Sequence, residues 1–231
     1  MKSAQSTYRH EYKYLITEPT MAILQERIRN LIPRDPHSDI HGKYTIRSLY
    51  FDDMYNTCYY DNEDGIEPRE KYRIRIYNAS DKRISLECKR KYHGMTHKTS
   101  ARIDRFQAQQ LISHIPLSLT QVQDETLVKF LLLSSQKEMT PSIIVEYQRS
   151  AYIYPTGNVR VTFDTNIVSS SDFNNFFKPS ISCRPILTPG YHLMEVKYDH
   201  FLPDFIFQSL QLDCLQQTTF SKFYLCRKYS I

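Results

Sequence analysis

The chain has 231 residues, long enough to bury a real core, and a formal net charge of +5 that suggests an anionic partner. Tyr (18) and Phe (12) are abundant, Trp is absent and Gly is scarce (5), a composition that suits β-strands. No run approaches the roughly 20 apolar residues of a membrane span. The longest apolar patch, LVKFLLLSS, contains Lys129, and the N-terminus MKSAQSTYRHEYKYLI has no apolar h-region, so neither a span nor a signal peptide is expected.

In chain order, RHEYKYLI reads as a strand near 8–16, with Arg9, Glu11, Lys13 and Leu15 on one face and Tyr12, Tyr14 and Ile16 on the other. Thr17 opens a helix through TMAILQERIRNLI that stops before Pro33. After the loop RDPHSDIHG, strands are expected near 43–52, 69–78 and 83–91. NTCYYDNEDG between the first two reads as a strand extension or a short helix. KYRIRIYN sets Lys71, Arg73, Arg75 and Tyr77 against Tyr72, Ile74 and Ile76. SLECKRK sets Glu87, Lys89 and Lys91 against Leu86, Cys88 and Arg90. A turn at His93-Gly94 leads to a strand carrying Lys98, Ser100 and Arg102. DRFQAQQLISHI and DETLVKFLLLSSQ are helical, with Asp104 and Asp124 as N-caps. IIVEYQRSAYI aligns Val145, Tyr147, Arg149 and Ala151. A Pro-Thr-Gly-Asn turn at 155–158 pairs it with a strand aligning Arg160, Thr162 and Asp164. Residues 168–186 show no periodicity and read as a mobile loop. LMEVKYD aligns Glu195 and Lys197, and the C-terminus reads as two helices broken near Thr218 and Thr219. With no linker or repeat, one domain over 1–231 is expected, its core at about 7–226.

At least seven strands thus pair an apolar face with a charged one. Independent surface strands would seldom repeat that pattern, whereas it fits a closed or nearly closed antiparallel barrel with one face packed against helices and the other lining an interior. Like charges about 4 Å apart repel by about 4 kcal/mol at an effective dielectric near 20. A lumen of Arg and Lys therefore calls for water and a polyanion, and phosphate chains match the donors that Arg and Lys offer. Cys58, Cys88, Cys183, Cys214 and Cys226 are widely spaced without CxxC or Cys/His clusters, which argues against zinc and for reduced thiols in a cytoplasm.

RHEYKYLI, IRSLYFDD, KYRIRIYN, LECKRK, KTSARI, VEYQRSAY, VRVTFD, LMEVKYD and FSKF, in that order, resemble the VTC (vacuolar transporter chaperone) polyphosphate polymerase domain of the triphosphate tunnel metalloenzyme, or CYTH-like, superfamily. The resemblance implies a β-rich α+β fold: an eight-stranded antiparallel barrel packed by several helices. In it ATP donates its γ-phosphate to a growing polyphosphate chain, with Mn²⁺ or Mg²⁺ as cofactor. It casts Lys13, Arg73, Arg75, Lys89, Arg149 and Lys222 as catalytic phosphate-binding residues, Lys222 closing one tunnel mouth. Arg47, Lys98, Tyr147 and Lys197 become substrate contacts, Tyr147 as a nucleotide-stacking ring, and Lys91, Arg102 and Arg160 join them from the same rows. Glu195 is cast as the metal carboxylate, with Glu11 and Glu146 as weaker ligands and Glu87 weaker still.

The related hydrolases and cyclases begin with ExExK, where this chain has Arg9-His-Glu11-Tyr-Lys13, so Arg9 replaces the first acid. Fewer metal carboxylates favour the polymerase branch. Two alternatives stay open: a metal-dependent tunnel triphosphatase acting on inorganic, nucleoside or thiamine triphosphate, and a non-catalytic polyphosphate- or inositol phosphate-binding module. Expected partners are ATP and polyphosphate. A nucleic-acid partner is not expected, because cations alternate with apolar residues on strands and so fit an enclosed groove. A membrane-protein partner and the oligomeric state are left open.

Overall fold

The computed structural model describes residues 8–115, 117–118, 122–211 and 215–230. Its strands are β1 (His10–Thr17), β2 (Tyr44–Asp52), β3 (Arg69–Tyr77), β4 (Ser80–Tyr92), β5 (Met95–Ile103), β6 (Thr140–Tyr154), β7 (Val159–Ser170), β8 (Arg184–Pro185) and β9 (Tyr191–Tyr198). The helices are α1 (Glu18–Arg29), α2 (Thr57–Glu63), α3 (Arg105–Ile112), α4 (Glu125–Lys137), α5 (Asp204–Ser209) and α6 (Lys222–Lys228). The antiparallel sheet runs β1-β9-β7-β6-β2-β3-β4-β5, with β8 on β7. It curls until its ends meet, where Arg9 and Thr96 exchange backbone bonds of 2.9 and 3.1 Å. Curling gives the sheet a convex and a concave side, and the alternation of each strand sorts its side chains between them.

The convex side is apolar and covered by helices. Leu49, Ile74, Ile76, Leu86 and Ala101 pack beneath α3 and α4 through Ala108, Leu111, Leu127 and Phe130. Ile16, Val161, Phe163 and Met194 pack beneath α1 and α5 through Leu24, Ile28 and Ile206. The helices start where their caps dictate. Thr17 accepts from the Thr20 amide, Asp104 forms a capping box with Gln107, and Asp124 accepts from the Thr126 and Leu127 amides. Asp52 and Asp53 settle NTCYYDNEDG as a helix. Their carboxylates take the free amides of Tyr55, Thr57, Cys58 and Tyr59 at 2.8–3.1 Å.

Two placements correct the sequence reading. The stretch 168–186 is a structured segment. β7 continues to Ser170, a 3₁₀ turn spans Phe173–Asn175, and β8 pairs back onto β7. Phe176 is buried in the convex-side core. The anchor is Arg47, which is not a nucleotide contact in the lumen: it lies on the convex side, 1% exposed, paired with Glu146. It donates to the carbonyls of Phe176 (2.7 Å), Lys178 (2.6 Å) and Pro179 (3.3 Å). Glu146 is accordingly an ion-pair partner outside the barrel and not a lumen metal ligand. Arg47→Ala would strand three carbonyls and a carboxylate, so a loss of about 3 kcal/mol is expected, measured by denaturant unfolding. Faster amide exchange confined to 176–181 would locate the effect.

α6 is shorter than the sequence pattern suggests, and it does not pack outside. Phe220, Phe223 and Cys226 fill one end of the lumen against Ile46, Tyr50, Val145, Tyr147 and Leu193. The segment before it runs along β1, where the Thr218 amide donates to the Lys13 carbonyl at 2.8 Å. Among the described residues, Cys58, Cys88, Cys183 and Cys226 are free thiols, and no helix is long and apolar enough to cross a membrane. Cys214 and the first seven residues, on which the thiol and signal-peptide readings partly rest, lie outside the described residues.

Candidate functional site

The concave side carries the charge. Lys13, Arg73, Arg75, Lys89, Arg149 and Glu195 all project from it, as their shared parity requires, and α6 adds Lys222. These side chains form three ionic groups around the lumen.

In the first, Asp164 of β7 takes a bidentate pair from Arg149 of β6 (2.6 and 2.7 Å). The Lys222 ammonium sits between Asp164 (2.7 Å) and Glu195 (2.6 Å). Lys197 pairs with Glu195 at 2.8 Å, and Arg149 reaches it at 3.7 Å. Burial by itself would raise the Glu195 carboxyl. The Lys197, Lys222 and Lys13 ammoniums overcome it and hold the group well below the usual carboxylate range. Tyr147 is buried, its ring 5.2 Å from the Arg149 guanidinium and 4.8 Å from the Lys222 ammonium. A base stacking on this ring would have to displace one of those cations.

In the second group, Glu11 of β1 pairs with Lys89 (2.9 Å), Lys13 (3.1 Å) and Lys197 (3.8 Å). Three ammoniums thus share this carboxylate, just as Lys197, Lys222 and Arg149 share Glu195. In the third, Glu87 of β4 takes Arg73 (2.7 and 2.9 Å), Lys98 (3.0 Å) and Arg75 (3.6 Å). Burial opposes ionisation of Glu87, but Arg75 and Arg73 hold it far below its ordinary value. Arg73 also donates to the Tyr50 hydroxyl (2.8 Å) and Arg75 to Ser48 (3.1 Å), which fixes both guanidiniums.

The remaining sequence candidates lie toward the rims. Arg160 pairs with Asp35 (2.6 Å) and donates to Tyr44 (2.7 Å), Lys91 pairs with Glu67 (3.2 Å), and exposed Arg102 donates to the Lys82 carbonyl (3.3 Å). Three residues had no role assigned from sequence. Asp164 buttresses Arg149, Asp35 holds Arg160, and Lys71 projects into the lumen beside α6. Asp164 and Lys71 were visible in the parity of VRVTFD and KYRIRIYN. Asp35, in a loop, had no periodic signal.

The donor set fits a hard divalent cation. Asp164 and Glu195 already bracket one cationic group, the Lys222 ammonium. Mg²⁺-type ions are commonly held by one or two carboxylates, completed by phosphate oxygens and water. Among the described residues, no group of three or more His, Cys, Asp or Glu side chains forms a cage by itself.

One lumen lysine titrates near neutrality. Burial, and against the pull of Glu11 the ammoniums of Lys13 and Lys197, bring Lys89 down to about 7. An unfolded lysine keeps its proton to about 10.4. Between those values the unfolded chain binds the extra proton, so this group's contribution to stability rises with pH across the window. Lys89→Met is expected to flatten that rise in denaturation curves taken between about pH 7 and pH 9.

Comparison with known proteins agrees with this geometry. The VTC domain family matches residues 8–231. Sequence comparison with curated proteins found no match. Among solved structures, a proposed adenylyl cyclase from Hippeastrum, described by its dominant triphosphatase activity, is similar in fold. It has a TM-score of 0.58 and 13% identity over 96% of this chain and 96% of that one. A proposed adenylate cyclase from Bacillus halodurans has a TM-score of 0.51 and 12% identity, over 89% of this chain and 87% of that one. Matched along nearly its whole length and built as a curled antiparallel sheet of barrel form, its ends joined by the Arg9–Thr96 bridge and its concave face cationic, the chain belongs to the VTC domain family.

Proposed function

We propose that this chain, acting as one domain over 1–231, is a metal-dependent phosphotransferase that moves the γ-phosphate of ATP onto a growing polyphosphate chain inside the barrel. The observation that carries the reading is the excess of cations over carboxylates on the concave face of a VTC-domain barrel. Lys13, Lys89, Lys98, Lys197, Lys222, Arg73, Arg75 and Arg149 surround Glu11, Glu87, Asp164 and Glu195. A linear polyanion neutralises such a face, and a small neutral substrate would not.

Phosphoryl transfer asks a protein for positioning and charge stabilisation more than for covalent chemistry. Here Arg73 and Arg75, held by Glu87, Tyr50 and Ser48, clamp the transferring group. Lys13, Lys89 and Lys98 line the path of the chain. The acceptor is a phosphate oxygen, so no side-chain nucleophile is needed. Glu195 and Asp164 would hold Mn²⁺ or Mg²⁺, which when bound supplies further neutralisation of phosphate oxygens. With ATP as donor, the reaction belongs in the cytoplasm.

A metal-dependent triphosphatase is the second reading, motivated by the activity named for the Hippeastrum protein of similar fold. The same clamp serves it with water as acceptor. Incubating the pure protein with ATP and Mn²⁺, then staining a gel for polymer and assaying free phosphate, separates the readings. Polymer with little free phosphate is the expected result. Free phosphate without polymer replaces the proposal with the hydrolase. Binding of tripolyphosphate without turnover replaces it with a binding module.

A further inference from the structure

Lys71 differs from the other lysines in the lumen. Lys13, Lys89, Lys197 and Lys222 each pair with a carboxylate. Among the described residues, none lies within ion-pair distance of Lys71. Its ammonium donates instead to two neutral oxygens, Asn62 Oδ1 on α2 and Ser221 Oγ (3.3 Å) at the start of α6, and sits 5.0 Å from the centre of the Phe223 ring. The charged and titratable groups facing it are Arg69 of its own strand, Lys89 of β4, Lys13 of β1 and the Cys58 thiol of α2, which burial keeps neutral. An ammonium among cations, held only by neutral acceptors, gains when an anion enters.

We propose that Lys71 heads an anion subsite at the α6 end of the lumen, taking a phosphate group of a condensed phosphate in place of the Asn62 and Ser221 oxygens. The inference rests on the reading that the lumen binds condensed phosphate. It adds where one end of the chain is held and by what. Lys89 stands directly opposite Lys71 in the β3–β4 register, and Lys13 is a further basic group facing the position. Burial, together with Arg69 and Lys89, holds the proton affinity of Lys71 well below the ordinary lysine value. An arriving anion offsets the repulsion of those cations, so filling the subsite raises the proton affinity of Lys71.

The test is calorimetric titration of inorganic tripolyphosphate into the full chain at about pH 8, without nucleotide, in two buffers of different ionisation heat. Wild-type protein is expected to take up protons on binding. Lys71→Met should bind about tenfold more weakly, the worth of one charge-assisted contact, and take up fewer protons. Lys71→Arg should keep affinity within a few-fold yet also take up fewer protons, because arginine does not titrate. That variant preserves the charge and reads the subsite even where Lys71→Met fails to fold. Unchanged affinity and uptake in the variants, with Arg73→Ala still weakening binding, would make Lys71 a latch for α6 and overturn this inference alone. No binding by the wild type would overturn the functional reading with it.

Discussion

Glu195→Gln is expected to lower polyphosphate synthesis by roughly a hundredfold or more, the usual scale for removing a preorganised electrostatic element from a transition-state site. Glu195 is 4% exposed and lies among Lys197, Lys222 and Arg149. Those cations hold it ionised at any working pH, although burial alone would favour the neutral acid. Glutamine keeps the shape and hydrogen-bonding reach but not the charge that would hold a divalent cation. Binding of tripolyphosphate should not weaken, because the phosphate donors remain and lose a competing carboxylate. Initial rates of polymer formation across a Mn²⁺ series, with calorimetric tripolyphosphate binding beside them, check both halves. Unchanged synthesis would remove Glu195 from the metal role and leave the polymerase reading standing.

Arg149→Ala is expected to cost about 3–5 kcal/mol of stability, the range for stripping one partner from a buried ion pair. Asp164 is 0% exposed. It would lose contacts of 2.6 and 2.7 Å and keep only Lys222 as a close cation. In a protein of this size, each kcal/mol shifts Tm by about 2–4 °C, so a drop of roughly 10 °C should appear in thermal unfolding. Adding Asp164→Asn should restore part of it, since an amide tolerates burial without a counter-charge. A double-mutant cycle of thermal unfolding measures the coupling. Additive losses would mean that Arg149 and Asp164 are not energetically a pair.

Much of the architecture was legible because strand alternation is a local property. Each side chain points opposite its neighbours whatever the rest of the chain does, so KYRIRIYN and LMEVKYD announced their inward charges before any fold was known. The same parity sets Arg47 beside outward-facing Leu49 and Phe51, and Glu146 opposite Tyr147. The resemblance to a phosphate-handling family drew both toward the substrate, and the parity was the better guide. Loop 168–186 misled for another reason. Its order comes from Arg47, more than a hundred residues earlier in the chain, and from burial of Phe176, neither of which leaves a periodic trace.

The sequence by itself determined the strands, the helix starts marked by Thr17, Asp104 and Asp124, and the inward rows of Lys, Arg and Glu. All follow from local rules of alternation and capping. Only the tertiary structure decided which charges meet. Register across β3–β4 sets Arg73 opposite Glu87, and closure of the sheet brings Glu11 against Lys89 across 78 residues. It also decided that α6 lies inside the barrel, with Lys222 between Asp164 and Glu195 and Ser221 against Lys71. Those contacts depend on cross-strand hydrogen bonding and on the packing of segments far apart in the chain, which no local pattern encodes.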